Sequence, residues 1–218
     1  MCKELSIAPE SSNGPSLPSF EQLRPDTIIS AGEEYLGTRL DGVITPFNSY
    51  VNRVYGLRDE EGNPFVAKFY RPGRWSAECI GEENRFVEQC TAAEIPVVPP
   101  LTAAASCGPV TATLGKSEGI LYTLFPLKGG RNCDVACDED WVRLGSIVGR
   151  MHLVGRKEAA VERVVCSPRE TTAAEIEQLA GSGLIPEDLL EEFTRVCFET
   201  VEFIAPLFRD VENIRIHG

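Results

Sequence analysis

The chain has 218 residues, 43% of them hydrophobic, with 21 Lys and Arg against 33 Asp and Glu, for a formal net charge of -12. That length and apolar fraction suffice for one domain or a two-lobed one, while the acid excess, with no basic patch to offset it, argues against nucleic acid or an anionic membrane as partner. No apolar run approaches the ~18 residues of a membrane span, and the start from Met1 to Leu5 lacks the apolar core of a signal peptide, so a cytoplasmic protein is expected.

Met1 to Ser19 is rich in Ser, Pro and Gly and reads as a mobile tail. From Phe20 to about Tyr35, Leu23, Ile28 and Ile29 with Pro25 and Asp26 before the isoleucines suggest a short helix packed on a sheet. Val51 to Leu57, the turn Arg58 to Asn63 and Phe65 to Tyr70 read as a hairpin. In its second strand Phe65, Ala67 and Phe69 share one face, and Val66, Lys68 and Tyr70 the other. Lys68 therefore stands among apolar neighbours. An ammonium there either snorkels to water, the reading the strand alone favours, or takes an anionic partner.

A candidate partner lies on the next element. Ser76 reads as a helix N-cap, Trp75 and Ile80 as a hydrophobic staple, and Glu78 complements the dipole of the first turn. The inward stripe Cys79, Ile80, Glu83, Phe86, Val87, Cys90 carries one carboxylate in an apolar face, while Glu82 points elsewhere. A strand lysine followed by an inward helix glutamate is the arrangement protein kinases use to position the phosphates of ATP. An ordinary ion pair is the alternative.

Further on, Gly115-Lys116-Ser117 fails as a P-loop because Val110 stands where the motif needs glycine. Val110 to Leu114 and Ile120 to Phe125 read instead as strands joined by a turn over residues 115–119, with Pro126 to Gly130 as a hinge. Helices follow. The first, capped by Asp138 or Asp140, carries Trp141, Leu144, Ile147, Val148 and Met151 inward, with Gly145 and Gly149 allowing close packing. His152 reads as a packing residue. A second helix covers Thr172 to Ala180, and a third opens with Pro186 at N1 and carries Leu189, Leu190, Phe193, Val196, Cys197, Ile204 and Leu207 inward. Val211 to Ile216 has the look of a strand. The eight cysteines form no Cys-x-x-Cys pair and only two histidines accompany them, so buried thiols are expected rather than disulfides or zinc.

Thr45 to Tyr55 together with Val66 to Trp75 resembles the bacterial stress-response kinase A family, of the aminoglycoside phosphotransferase and choline kinase group. The resemblance continues through Phe125-Pro126, Gly129 to Arg131, Gly149 to His152, Gly155 to Lys157 and Arg215 to Gly218. It implies an α+β, protein-kinase-like two-lobe fold, with a nucleotide-binding lobe at 20–127 having an antiparallel sheet plus helix, and an incomplete helical lobe at 128–218. It also implies a serine/threonine protein kinase using ATP and magnesium. Lys68 would orient the α- and β-phosphates and Glu83 would hold Lys68. The turn Asn48-Ser49 would replace the absent glycine-rich loop, and the main chain near Phe125 to Leu127 would meet the adenine edge. The acceptor would be a protein or small-molecule hydroxyl. In this family His-Gly is followed by the catalytic aspartate, so the 218 residues are expected to be an N-terminal portion that binds nucleotide weakly and does not transfer phosphate, its metal ligands falling beyond Gly218. Two other readings are a small-molecule phosphotransferase acting on an aminoglycoside or amino alcohol, and a non-catalytic binding module on a kinase scaffold.

Overall fold

The computed structural model describes residues 18–105, 108, 110–130 and 135–216. The expectations for residues 1–17 of the tail and for Cys2, Cys107, Arg131, Cys133, His217 and Gly218 lie outside them. The chain divides into two compact units, the first running to Ala77 and again from Pro100 to Leu127, the second from Glu78 to Pro99 and from Lys128 onward.

The first unit carries a five-stranded antiparallel sheet of β1 (Thr45–Phe47), β2 (Arg53–Arg58), β3 (Pro64–Phe69), β4 (Gly115–Ser117) and β5 (Ile120–Pro126), in the order β1-β2-β3-β5-β4. β2 and β3 form the expected hairpin. Its turn is pinned by buried Asp59, which accepts the Asn63 backbone N–H at 2.7 Å and the Asn63 side-chain amide at 2.8 Å. Gly62 supplies the left-handed backbone there, at φ +90°. The alternation places Ala67 and Phe69 in the core beside Leu57, Ile120, Tyr122 and Leu124. Helix α1 (Pro25–Leu36) has Pro25 in its first turn, adds Ile28, Ala31 and Tyr35 to that core, and stops at Gly37 in the left-handed region.

Aromatic rings fill the centre of this core. Phe69 stacks on Tyr122 with ring centroids 5.1 Å apart, and Tyr35 tilts against Tyr122 at 5.6 Å. Tyr35 donates its hydroxyl to the Leu101 carbonyl at 2.7 Å and Tyr122 donates to that of Ala31 at 3.0 Å, so each ring is buried with its polar end satisfied. One expected boundary moves: Gly115–Ser117 is strand β4, and the turn is the pair Glu118-Gly119, both at positive φ. Two left-handed residues give the tight hairpin whose twist matches its strands. Gly115 is needed in β4 because a Cβ there would meet the Tyr122 ring at 2.6 Å. Val110 to Leu114 folds into a tight turn, Val110 N–H donating to the Leu114 carbonyl at 2.8 Å.

The second unit contains α2 (Ala77–Ala92, from Glu78), α3 (Asp138–Gly155), α4 (Ala173–Ala180) and α5 (Glu187–Ile204). Asp138, Glu139 and Asp140 occupy the first turn of α3, where the helix dipole favours carboxylates. Pro186 is the N-cap of α5 rather than its first residue. The core here is small, formed by Phe86, Cys90, Ile95 and Val154 with Ile147 and Met151 partly buried against them. The expected inward stripes are only partly covered: Cys79 and Ile80 are buried and Leu190, Phe193, Cys197 and Ile204 half-buried, but Trp141 is 62% exposed and Leu144, Val148, Leu189, Val196 and Leu207 are exposed as well, leaving Val201 as the buried residue of α5. Periodicity reports that a helix face is apolar, but what covers that face is decided elsewhere in the chain.

Gly145 and Gly149 have open space where a Cβ would stand, so close packing does not explain them. It does explain Gly155, where a Cβ would collide with the Arg215 carbonyl. Residues 211–216 form no strand; instead the Arg215 N–H donates to the Gly155 carbonyl at 3.4 Å. Among the described cysteines, Cys79 and Cys90 are buried free thiols as expected, whereas Cys137 and Cys166 are exposed. Burial pushes the Cys90 thiol up, opposed by the charge of Arg215.

Candidate functional site

Strand register brings five of the six candidate residues into the sheet unit. Lys68 is half-buried on β3, opposite Val54 of β2 on one side and Thr123 of β5 on the other. Val54 pairs in turn with Phe47, the last residue of β1. The turn that carries Asn48 and Ser49 therefore leaves the sheet on the cross-strand row that holds Lys68. Asn48 is exposed, Ser49 half-buried, and neither is charged. The Lys68 ammonium lies 4.6 Å from the centroid of the Tyr70 ring, which shields it partly from water without neutralising it.

The segment that carries this row is locally cationic in sequence, although the chain as a whole is acidic. Arg53, Arg58, Lys68, Arg71 and Arg74 fall between Thr45 and Ala77, where the only carboxylates are Asp59, Glu60 and Glu61 of the β2–β3 turn. Arg58 is spoken for by Asp41 at 2.7 Å. A stretch whose carboxylates are confined to one turn, with cations elsewhere along it, suits an anion of several charges.

The same face holds groups that the sequence reading passed over. Gly56 pairs with Val66, and a Cβ on Gly56 would meet the Phe47 ring at 3.1 Å, so the missing side chain lets that ring lie against the sheet. Thr123 is fully buried and donates its hydroxyl to the Thr113 carbonyl at 3.1 Å. Phe125 pairs with Val66, and the Leu127 N–H donates to the Pro64 carbonyl at 3.0 Å. Because that N–H is committed and Pro126 has none, a ligand edge meeting Pro126 and Leu127 finds carbonyl oxygens unless the Pro64 bond opens.

Glu83, the sixth candidate, stands on α2 in the second unit. Its carboxylate lies 3.5 Å from Arg163 Nη1, with both side chains about one-third exposed or less. The central buried polar residue of the helix is its neighbour Asn84, not Glu83. Glu82, expected to point away, accepts the backbone N–H groups of Val161 at 2.8 Å and Glu162 at 3.0 Å, and the Cys79 thiol donates to the Glu162 carbonyl at 2.8 Å. Residues 79, 82 and 83 follow helical spacing, so one face of α2 grips the segment 161–163. Burial pushes the Glu82 carboxyl up, but the N–H groups of Val161, Glu162 and Arg163 with the charge of Arg85 outweigh it and hold it below its ordinary value.

Among the described residues no three His, Cys, Asp or Glu side chains are gathered so as to hold a metal ion, and none of their helices is long and apolar enough to cross a membrane.

The profile of the Phosphotransferase enzyme family matches residues 43–218. Over 201 residues, 92% of the chain, the sequence is 35% identical to stress response kinase A of Escherichia coli strain K12 and 33% identical to the serine/threonine protein kinase RdoA of Salmonella typhimurium strain LT2. The chain spans 59% of the length of these relatives. Among solved structures it is similar to amicoumacin kinase hAmiN in complex with AMP-PNP, Ca2+ and Ami, with a TM-score of 0.61 and 17% identity over 86% of this chain and 54% of that one. A putative fructosamine-3-kinase from Thermobifida fusca gives a TM-score of 0.53 and 15% identity over 88% of this chain and 66% of that one. These likenesses bear out the expected α+β, kinase-like fold.

Proposed function

The chain belongs to the phosphotransferase enzyme family, and from that premise we propose that it supplies the ATP-binding part of a serine/threonine protein kinase of the stress-response type. The observation that carries the proposal is the row on which half-buried Lys68 stands beside Val54 and Thr123, at the foot of the uncharged turn Asn48-Ser49, in a stretch rich in arginine. A lysine partly withdrawn from water and a turn offering N–H and hydroxyl donors are what a polyphosphate requires. Lys68 is assigned to the α- and β-phosphates, Glu83 as the carboxylate that sets it, Asn48 and Ser49 as donors, and the main chain at Phe125 and Leu127 to the base. Protein hydroxyls as acceptors are supported by the names of the relatives at 33% and 35% identity. Magnesium is the proposed metal, but the described residues gather no ligand set for it and no step is assigned to it.

Titration calorimetry of the purified chain with ATP and with adenosine, with and without magnesium, tests this reading. Lys68→Ala should weaken ATP by about 10- to 100-fold, the worth of a charge-assisted contact, while leaving adenosine unchanged. A chain that binds neither nucleotide, or a Lys68→Ala variant that binds ATP as the parent does, would falsify it.

A further inference from the structure

The turn over residues 48–52 contains no glycine, yet a cradle for phosphate needs a backbone held in one particular shape. The tether that holds it comes from the strand bearing Lys68. Arg71, three residues after that lysine, donates its backbone N–H to the Asn52 side-chain oxygen at 3.2 Å and its Nε–H to the Val51 carbonyl at 3.2 Å. One residue thus bonds two consecutive residues of the turn, from 19 and 20 positions away. Arg71 is itself fixed to the sheet. The preceding residue, Tyr70, donates its N–H to the Leu121 carbonyl at 2.9 Å, and Arg71 opens a tight turn in which the Arg74 N–H returns to its carbonyl at 3.3 Å and Gly73 takes φ +75°.

Resting on the ATP reading above, we propose that Arg71 is a positioning residue for this phosphate turn, locking it to β3 so that the donors at Asn48 and Ser49 and the ammonium of Lys68 keep one spacing. Its charge serves the same end. Among the described residues Arg71 forms no ion pair, and its terminal guanidinium nitrogens make no hydrogen bond, so the guanidinium takes part in the tether through Nε alone and leaves the positive charge exposed beside the turn.

The test compares the full chain with Arg71→Ala, Arg71→Gln, Arg71→Lys and Asn52→Ala. Hydrogen exchange of the amides at residues 50–53 is read without nucleotide, and affinity is read for both ATP and adenosine. Arg71→Ala should speed that exchange and weaken ATP about three- to tenfold while adenosine binding stays unchanged, the scale of one exposed hydrogen bond. Arg71→Gln, whose amide can still donate to the Val51 carbonyl, should recover most of that loss although it lacks the charge. Asn52→Ala, which removes the other bond of the tether, should give a defect of the same kind, and combining it with Arg71→Ala should deepen it. Unchanged exchange in Arg71→Ala overturns the proposal whatever happens to nucleotide. Equal losses for ATP and adenosine reduce Arg71 to general scaffolding and also overturn it. So does a series in which Arg71→Lys matches the parent and Arg71→Gln matches Arg71→Ala, because charge alone then explains the effect. If the parent chain binds no ATP while Arg71→Ala still speeds exchange, the tether exists but the phosphate role falls together with the functional reading.

Discussion

The two units of this chain build their interiors differently. In the sheet unit, Tyr35, Phe69, Ile120, Tyr122 and Leu124 are all fully buried, and both tyrosine hydroxyls have carbonyl partners. In the helical unit, the core of Phe86, Cys90, Ile95 and Val154 is smaller, while Trp141, Leu153, Phe203 and Leu207 are each more than 60% exposed. The sheet unit closes on itself because strands from distant parts of the sequence bring two faces of side chains together. The helical unit relies more on polar ties: Glu82 on Val161 and Glu162, Arg150 on the carbonyls of Ala93 and Glu94, Arg215 on Gln89.

The largest effect that could break this contrast is expected in the sheet core. Tyr122→Ala removes the ring that contacts both Phe69 and Tyr35, and should cost roughly 3–5 kcal/mol, the range for emptying an aromatic site that cannot collapse. Urea unfolding followed by Trp75, in a Trp141→Phe background, reads it out. A loss below about 1 kcal/mol would show that the sheet core is not the rigid interior described here.

Gly155→Ala should come next. Alanine is better than glycine within a helix by roughly 0.8–1 kcal/mol, so propensity alone predicts a gain. The collision with the Arg215 main chain should reverse it, giving a net loss of about 1–3 kcal/mol. The segment at Arg215 would shift as well, disturbing a guanidinium that bonds Gln89 at 2.7 Å and lies 4.9 Å from the Phe86 ring centroid. Unfolding followed by Trp141 in a Trp75→Phe background measures the loss, and a stabilised variant would mean that residues 211–216 do not pack as described.

The smallest effect sharpens the polar side of the comparison. Glu82→Gln keeps one acceptor oxygen for Val161 or Glu162, replaces the other with an NH2 donor and removes the charge, and should lower stability by about 1 kcal/mol near neutral pH. Because the folded carboxyl titrates below its ordinary value of 4.5, its contribution is complete above that value and fades as pH falls through the lower, folded value. The difference in Tm between parent and variant should therefore hold steady from neutral pH to about 5 and narrow at lower pH. A gap that widened with acid would mean that the carboxyl is not stabilised by those N–H groups.

Local pattern sufficed for much of this protein. Alternation in Phe65 to Phe69 sorted the side chains into two faces, one of which holds the buried Ala67 and Phe69, the Arg58 to Asn63 turn marked the hairpin, and apolar periodicity located α2, α3 and α5 within a few residues. Of the candidate site, the strand period by itself put Lys68 among apolar neighbours, whereas Asn48 and Ser49 read as a plain polar turn until the family resemblance assigned them to phosphate, so their role stands as a proposal. Tertiary structure decided the rest, because each remaining feature depends on residues far apart in sequence. Only the sheet register places Thr123 opposite Lys68 and lays Phe47 against Gly56. Only the fold brings Arg71 to Val51 and Asn52, turns Glu82 toward Val161 and Glu162, and sets Arg163 beside Glu83. Periodicity is a property of one segment and hydrogen bonding between segments is a property of the assembled chain, so a carboxylate on a helix announces its face but not the partner that will meet it.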